Sequence, residues 1–233
     1  MPIADKYNSQ NSKKRGANRL LDTASLLFAE QGYDSVSARS LTGAAGVNLS
    51  AITYYFGGKA GLYAAVIDKL ILDTEPLRKV LIGELKNGIQ SAAGDPDKLG
   101  MEVRTFVYRL IVMQLSDKFP RSRFQLMLRE VMHPTFAFDR VINGHITPMQ
   151  DAVCELVVAA KRGDVDEDQA KIISHAILGQ CWIFGIGRPV ILARLGWQEV
   201  DEERVEIIVD TLTCTVLCAL GLRYEFYSIR NLE

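Results

Sequence analysis

Apolar residues recur along this chain with the rhythm of helices. Ala17, Leu20, Leu21, Ala24, Leu27 and Phe28 are spaced by threes and fours, which predicts a first helix with one apolar stripe from about Arg15 to Glu30, stopping at Gly32. Ser37 suits the N-cap of a short helix over Ala38 to Ala45 that Gly46 ends, and Asn48 can cap a third over Leu49 to Tyr55. Two short helices joined through a glycine-containing turn, behind a longer amphipathic one, make a three-helix helix-turn-helix. A fourth helix should begin near Lys59 and run through Leu62, Val66 and Leu70, with Pro76 ending or kinking it. Beyond Gly94-Asp95-Pro96-Asp97, helices are expected over Leu99 to Leu115, Arg121 to Met132, Phe138 to Arg162, Asp168 to Leu195 and Asp201 to Tyr227. No alternating strand pattern of useful length and no internal repeat interrupts them. The expectation is therefore an all-α chain: a flexible arm over residues 1–14, a helix-turn-helix domain over 15–58, and a helical domain over 59–233.

Composition narrows the class. A chain of 233 residues that is 48% hydrophobic and 24% charged can bury a substantial core. It has no run of about 18 apolar residues and no signal-like N-terminus, so no membrane partner and a cytoplasmic location are expected. Cys154, Cys181, Cys214 and Cys218 lie in apolar helical stretches without a CxxC or a Cys/His cluster. They read as reduced core thiols rather than a disulfide framework or a metal site. The net charge of −1 hides an asymmetry, because residues 1–59 carry +3 and the remainder −4; the N-terminal part is the one suited to phosphate.

Chemistry of catalysis is not apparent. Glu130-x-x-His133 has the spacing of a di-iron half-site, but neither His145 nor His175 has an acidic residue three positions before it, so the second half-site is missing. Nothing resembles a nucleotide-binding glycine loop or a nucleophile-base pair. No metal and no cofactor are called for, and the chain does not read as an enzyme. A helical adaptor using its long C-terminal helices for another partner is the remaining alternative, which salt-dependent binding of duplex DNA would discriminate.

The stretch from Ser37 to Lys59 contains a glycine turn and valine, a short helix ending in Tyr54-Tyr55-Phe56, and Gly57-Gly58-Lys59 leading into the next helix. It closely resembles the TetR-family signature, over about residues 15 to 70. The resemblance implies a homodimer that binds a two-fold symmetric operator in double-stranded DNA, and usually represses until a small-molecule effector binds. Leu41, Ala45, Val47, Ile52 and Phe56 are spaced to pack inward. That leaves Leu49, Ser50, Ala51, Thr53, Tyr54 and Tyr55 to face the groove, where short side chains permit close approach and hydroxyls meet phosphates or base edges. Asn48 lies at the start of the same helix. Lys14, Arg15, Ser37, Arg39 and Lys59 are candidate phosphate contacts. The groove-facing set has no Arg, Asn or Gln, so shape readout carries more weight than bidentate base readout.

Further along, Arg129-Glu-Val-Met-His-Pro-Thr-Phe-Ala-Phe138, Ile146-Thr-Pro148, Leu195-Gly-Trp197 and Asp201-Glu-Glu203 look like the CecR subgroup of TetR regulators. That subgroup is associated with membrane transport genes and drug sensitivity. A dimer interface is expected from Val205, Ile208, Val209, Leu212 and Val216 on the last helix and from Ile172, Ala176, Gly179 and Ile183 on the one before. An effector pocket is expected among Phe106, Arg109, Met113, Phe124, Arg129, His133, Phe136, Gln180 and Phe184, an apolar lining with a few polar handles. Arg129, Glu130 and His133 can equally form a structural polar cluster at a helix end.

Overall fold

The computed structural model describes residues 3–115 and 121–223, with the backbone alone described at 3–14, 121 and 123. The regular structure among them is helical throughout. In order come α1 (Ile3–Gln31), α2 (Ala38–Ala45), α3 (Ser50–Phe56), α4 (Lys59–Ala92), α5 (Pro96–Leu115), α6 (Arg121–Met132) and α7 (Phe138–Val141). A π-helical turn (Ile142–Ile146) follows, and then α8 (Thr147–Ala160), α9 (Glu167–Ile186), α10 (Arg188–Leu195) and α11 (Glu202–Leu220).

The chain divides into two compact units, Met1–Glu75 with Pro120–His145, and Pro76–Phe119 with Ile146–Glu233. This differs from a division at residue 58. The first turns of α4, together with α6 and α7, belong to the helix-turn-helix unit, because Leu62, Tyr63, Val66, Ile67, Leu126, Ala137 and Val141 are buried in it beside Leu20, Ala24 and Phe28. A three-helix domain of this size has little interior of its own. Helix α1 begins at Ile3, so the expected arm over 1–14 is, from residue 3, its first turns.

In the second unit α5 packs on α9 and α11, α8 on α9, and α10 on α9. Val103, Val107 and Ile111 of α5, Leu156 of α8, Ile177 and Leu178 of α9, and Val209, Val216 and Leu217 of α11 form its buried centre. At the edge of this core Arg104 donates to Glu206 at 2.7 Å and to Asp210 at 3.0 Å, which fixes α5 against α11.

Several expected helices are broken or displaced for identifiable reasons. Pro76 lies inside α4 without ending it. The helix expected over 138–162 is interrupted by the π turn directly before Pro148, where a widened turn accommodates a ring that has no N–H to give. The helix expected over 168–195 bends by 76° between α9 and α10, at Gly187 and ahead of Pro189 in the first turn of α10. Helix α11 stops at Leu220, where Gly221 adopts a left-handed φ of 72°; the expected continuation to Tyr227 runs past the described residues. No single described helix is long and apolar enough to cross a membrane.

The stripe on α11 is corrected. Ile208, Val209, Leu212 and Val216 are buried in the protomer's own core and Val205 is packed against it, because this is the face α11 turns to α5. On α9 the expected stripe does face outward, with Ile172 66% and Ile183 51% exposed and Ala176 and Gly179 exposed between them. The cysteines are all free thiols, but only Cys181 is core; Cys154 and Cys214 are half-buried and Cys218 is exposed. Burial pushes the Cys181 thiol up to about 12.

Candidate nucleic-acid interface

The helix-turn-helix is held by local devices that its residues specify. Ser37 Oγ accepts from the Ser40 amide at 3.0 Å, and Ser40 Oγ accepts from the Ser37 amide at 3.1 Å, a reciprocal capping box that starts α2. Leu41 and Ala45 then face inward from α2, and Ile52 from α3, which fixes the rotation of both short helices about their axes. Asn48 lies one residue before the helix cap and accepts from the Ser50 amide at 3.3 Å through its Oδ1. The third helix accordingly runs one residue later than expected, from Ser50 to Phe56.

With Ile52 only 3% exposed, the opposite side of α3 is open: Ser50 and Thr53 are exposed, Tyr54 is 66% exposed, and Leu49 just ahead of the helix is 48% exposed. Ala51 is half-buried, as are Val47 and Phe56. Tyr55 is half-buried too, with its ring against the buried Gly16 of α1, where a Cβ would stand 3.5 Å from the Tyr55 hydroxyl. Tyr54 and Tyr55 meet edge to face at 4.9 Å. The two tyrosines are thus unequal: one projects outward while the other wedges α3 onto α1.

The junction from α3 to α4 depends on glycine. Gly58 has a φ of 126°, open only to glycine, and a Cβ on Gly61 would collide with the Phe56 carbonyl oxygen. This close approach places Lys59, in the first turn of α4, with its ammonium 4.3 Å from the centroid of the Tyr33 ring. Arg15 and Arg39 are exposed on the same unit. The Lys14 side chain lies outside the described residues.

A polar hub stands behind this surface, built on the structural reading of Arg129 and Glu130 but with Tyr63 and Thr135, which sequence reasoning missed, in place of His133. Glu130 is fully buried, and Tyr63 of α4 donates to its Oε2 at 2.5 Å, while the amide and hydroxyl of Thr135 donate to its Oε1 at 2.7 and 2.8 Å. Burial, together with the hydrogen bond to Glu130 and its charge, holds the Tyr63 hydroxyl well above the usual tyrosine range. The neighbouring Arg129 donates to the Ala29 carbonyl at 2.6 Å and to that of Glu30, satisfying the open C-terminal end of α1. Arg129 and Glu130 had a signal, their adjacency at a helix end. Tyr63 had none, since it falls on an apolar stripe.

The expected effector residues divide between the two units. In the first, Arg129 is engaged as described, His133 is exposed, Phe124 is half-buried, and Phe136 packs on Tyr33 at 5.4 Å and on Tyr63 at 5.9 Å. In the second, Phe106 is core, Arg109 is exposed and paired with Glu84 at 3.1 Å, and Met113 and Phe184 pack against the core from its edge. Gln180 is half-buried, and its buried Oε1 has no hydrogen-bond partner among the described residues. The di-iron spacing gathers nothing, since Glu130 is fully engaged by Tyr63 and Thr135 while His133 points to solvent.

Comparison with known proteins agrees with this geometry. Residues 20–66 match the family described as bacterial regulatory proteins, tetR family, and residues 100–221 match the C-terminal domain of the HTH-type transcriptional dual regulator CecR. The chain is 29% identical over 212 residues to the HTH-type transcriptional dual regulator CecR of Shigella flexneri, covering 87% of this chain and 90% of that protein. Among solved structures it is similar to AibR in complex with isovaleryl coenzyme A and operator DNA, with a TM-score of 0.56 and 16% identity over 86% of this chain and 97% of the other. It is also similar to SmeT, the repressor of the Stenotrophomonas maltophilia multidrug efflux pump SmeDEF, with a TM-score of 0.53 and 13% identity over 87% and 89%.

Proposed function

Because the chain belongs to the TetR family of DNA-binding transcriptional regulators, in its CecR-type branch, we propose that it acts as a homodimeric repressor that leaves its operator when a small molecule binds. The observation that carries the reading is the two-sided α3: Ile52 buried, and Leu49, Ser50, Thr53 and Tyr54 turned outward. Such a helix can enter a major groove while its back is anchored. Tyr54 and the exposed hydroxyls face base edges, Leu49 and Ala51 are suited to thymine methyl groups, and Tyr55, whose hydroxyl end lies against Gly16, serves the contact by bracing α3 from behind. Arg15, Ser37, Arg39 and Lys59 hold the phosphates, with Lys14 beside them. The protein is a regulator and not an enzyme.

Two copies are required to present two α3 helices to successive major grooves, about 34 Å apart. The outward face of α9, Ile172, Ala176, Gly179 and Ile183, is the surface proposed to join them: it is apolar where a lone chain would meet water. Gln180, whose buried oxygen lacks a partner, is the best supported of the expected effector contacts, since a ligand donor would satisfy it. The kinship with CecR supports target genes concerned with membrane transport or drug sensitivity, and a cytoplasmic site of action.

The test is binding of the purified protein to duplex DNA from upstream of its own gene. Tight, salt-dependent binding with one dimer per site, lost in Tyr54→Ala with Thr53→Ala, is the expected outcome. A monomer indifferent to DNA at low ionic strength would overturn the reading.

A further inference from the structure

One cleft in the helix-turn-helix unit is lined by none of the expected effector residues. It is a cleft of about 220 Å³ walled by Asp22, Ser25 and Leu26 of α1, by Val66, Lys69, Leu70 and Asp73 of α4, and by Ser122 and Leu126 of α6. An apolar cavity of roughly 150 Å³ suffices to hold benzene, so this cleft has room for one ring and a short headgroup. In the second unit, by contrast, the slit beside Phe106 and Arg109 has a volume of about 10 Å³, enough for at most a water.

We propose that the cleft between α1, α4 and α6 is a second ligand site, within the DNA-binding unit itself, for a small lipophilic cation. The argument rests on what the walls offer. Val66, Leu70 and Leu126 are buried side chains that supply the floor, and Leu26, 53% exposed, supplies an apolar lip that a ligand would cover. Of the charged groups, Lys69 and Asp73 already pair with each other at 2.9 Å. Asp22 makes no ion pair among the described residues and stands at the rim, exposed. A carboxylate at the mouth of an apolar cleft selects a molecule with an apolar body and a cationic head. An anion of the same shape would meet Asp22 unfavourably and find Lys69 engaged.

Such a ligand touches α1 and α4 at once, the two helices against which α3 and the glycine junction are set. Its occupancy therefore bears on the presentation of α3 directly, whatever binds in the other unit. This site stands independently of the effector reading proposed above, because it needs no contribution from Gln180, Phe184 or Met113.

The experiment is isothermal titration of the full-length protein with benzyltrimethylammonium, with 3-phenylpropionate as the anion of similar shape and with tert-butylbenzene as the neutral one. The cation is expected to bind at one site per chain and the anion not at all. Asp22→Asn, a surface change that keeps the fold, should weaken the cation about fivefold, the worth of one part-exposed ion pair, and leave the neutral compound unaffected. Ser122→Phe, which fills the cleft from the α6 wall, should abolish both, with circular dichroism confirming that the variant is folded. Gln180→Ala should change neither, and so separates this site from the other. Equal binding of cation and anion, binding indifferent to Asp22→Asn and Ser122→Phe, or no binding of the cation would each overturn the proposal.

Discussion

A single buried carboxylate organises the interior of the DNA-binding unit. Glu130 is stripped of water yet accepts from Tyr63 and twice from Thr135, so each contact matters more than it would on a surface. Tyr63→Phe removes one donor to a charged acceptor and is expected to lower stability by about 1.5–3 kcal/mol, read as a shift in a urea midpoint. The same pair sets an alkaline limit. The Tyr63 hydroxyl is raised above its ordinary value of 10.0 in the fold, so the stability it contributes is fully present below pH 10 and is lost as pH climbs toward the folded value. Denaturation midpoints should therefore fall more steeply above pH 10 in the wild type than in Tyr63→Phe; identical alkaline limbs would remove Tyr63 from the account. The cysteines give a second contrast at this scale. Cys181 is fully buried with its thiol pushed up to about 12, whereas Cys218 is exposed. A thiol reagent at neutral pH should modify Cys218 in the native protein and reach Cys181 only on unfolding.

Among the elements, the short helices carry the sharpest demands. The Ser37 and Ser40 capping box predicts that Ser37→Ala costs about 1 kcal/mol, measured by thermal unfolding, and weakens DNA binding both through fraying of α2 and through loss of the proposed phosphate contact. Gly61→Ala acts differently. It drives a Cβ into the Phe56 carbonyl, so the start of α4 must move away from the end of α3, and operator binding should be lost even where circular dichroism still reports a helical protein. Retention of full affinity by Gly61→Ala would mean the junction is slack. Much of this was legible from residue order alone. The stripe Leu20, Ala24 and Phe28, the cap at Ser37 and the stop at Gly46 mark α1 and α2 because periodicity and capping are local properties. What was illegible depends on partners distant in sequence or on how a proline is accommodated. The Phe138 to Arg162 pattern reads as one helix, and only the packed chain shows the π turn ahead of Pro148. Apolar residues on α11 likewise announce a buried face without saying what buries it. Here it is α5 of the same chain.

For the whole molecule, the proposed dimer turns on which surface a second copy would cover. The α11 residues Ile208, Val209, Leu212 and Val216 are already withdrawn from solvent within one chain, so they have nothing left to offer a partner. Leu212→Ala should behave as a core change, lowering stability by about 2–5 kcal/mol while leaving the assembly state intact in sedimentation. Ile172 and Ile183 are in the opposite situation, large apolar side chains about half or more exposed on one face of α9, with Ala176 and Gly179 between them permitting a close approach of helices. On α11 the outward positions include Ile207, Thr211, Thr215, Cys218 and Ala219, a more polar face that fits a flank of the contact rather than its centre. Ile172→Asp combined with Ile183→Asp introduces charges where the lone chain already meets water, so each protomer should keep its fold. Across a two-fold axis the same charges would face one another with little solvent between them, a repulsion an interface cannot absorb. The double variant is therefore expected to sediment as a monomer with wild-type helicity and to lose operator affinity together with the dimer, since one α3 alone reads a single half-site. If it remains a dimer and Ile207→Asp dissociates instead, the two-fold axis runs beside α11, and the exposed α9 face belongs to some other contact.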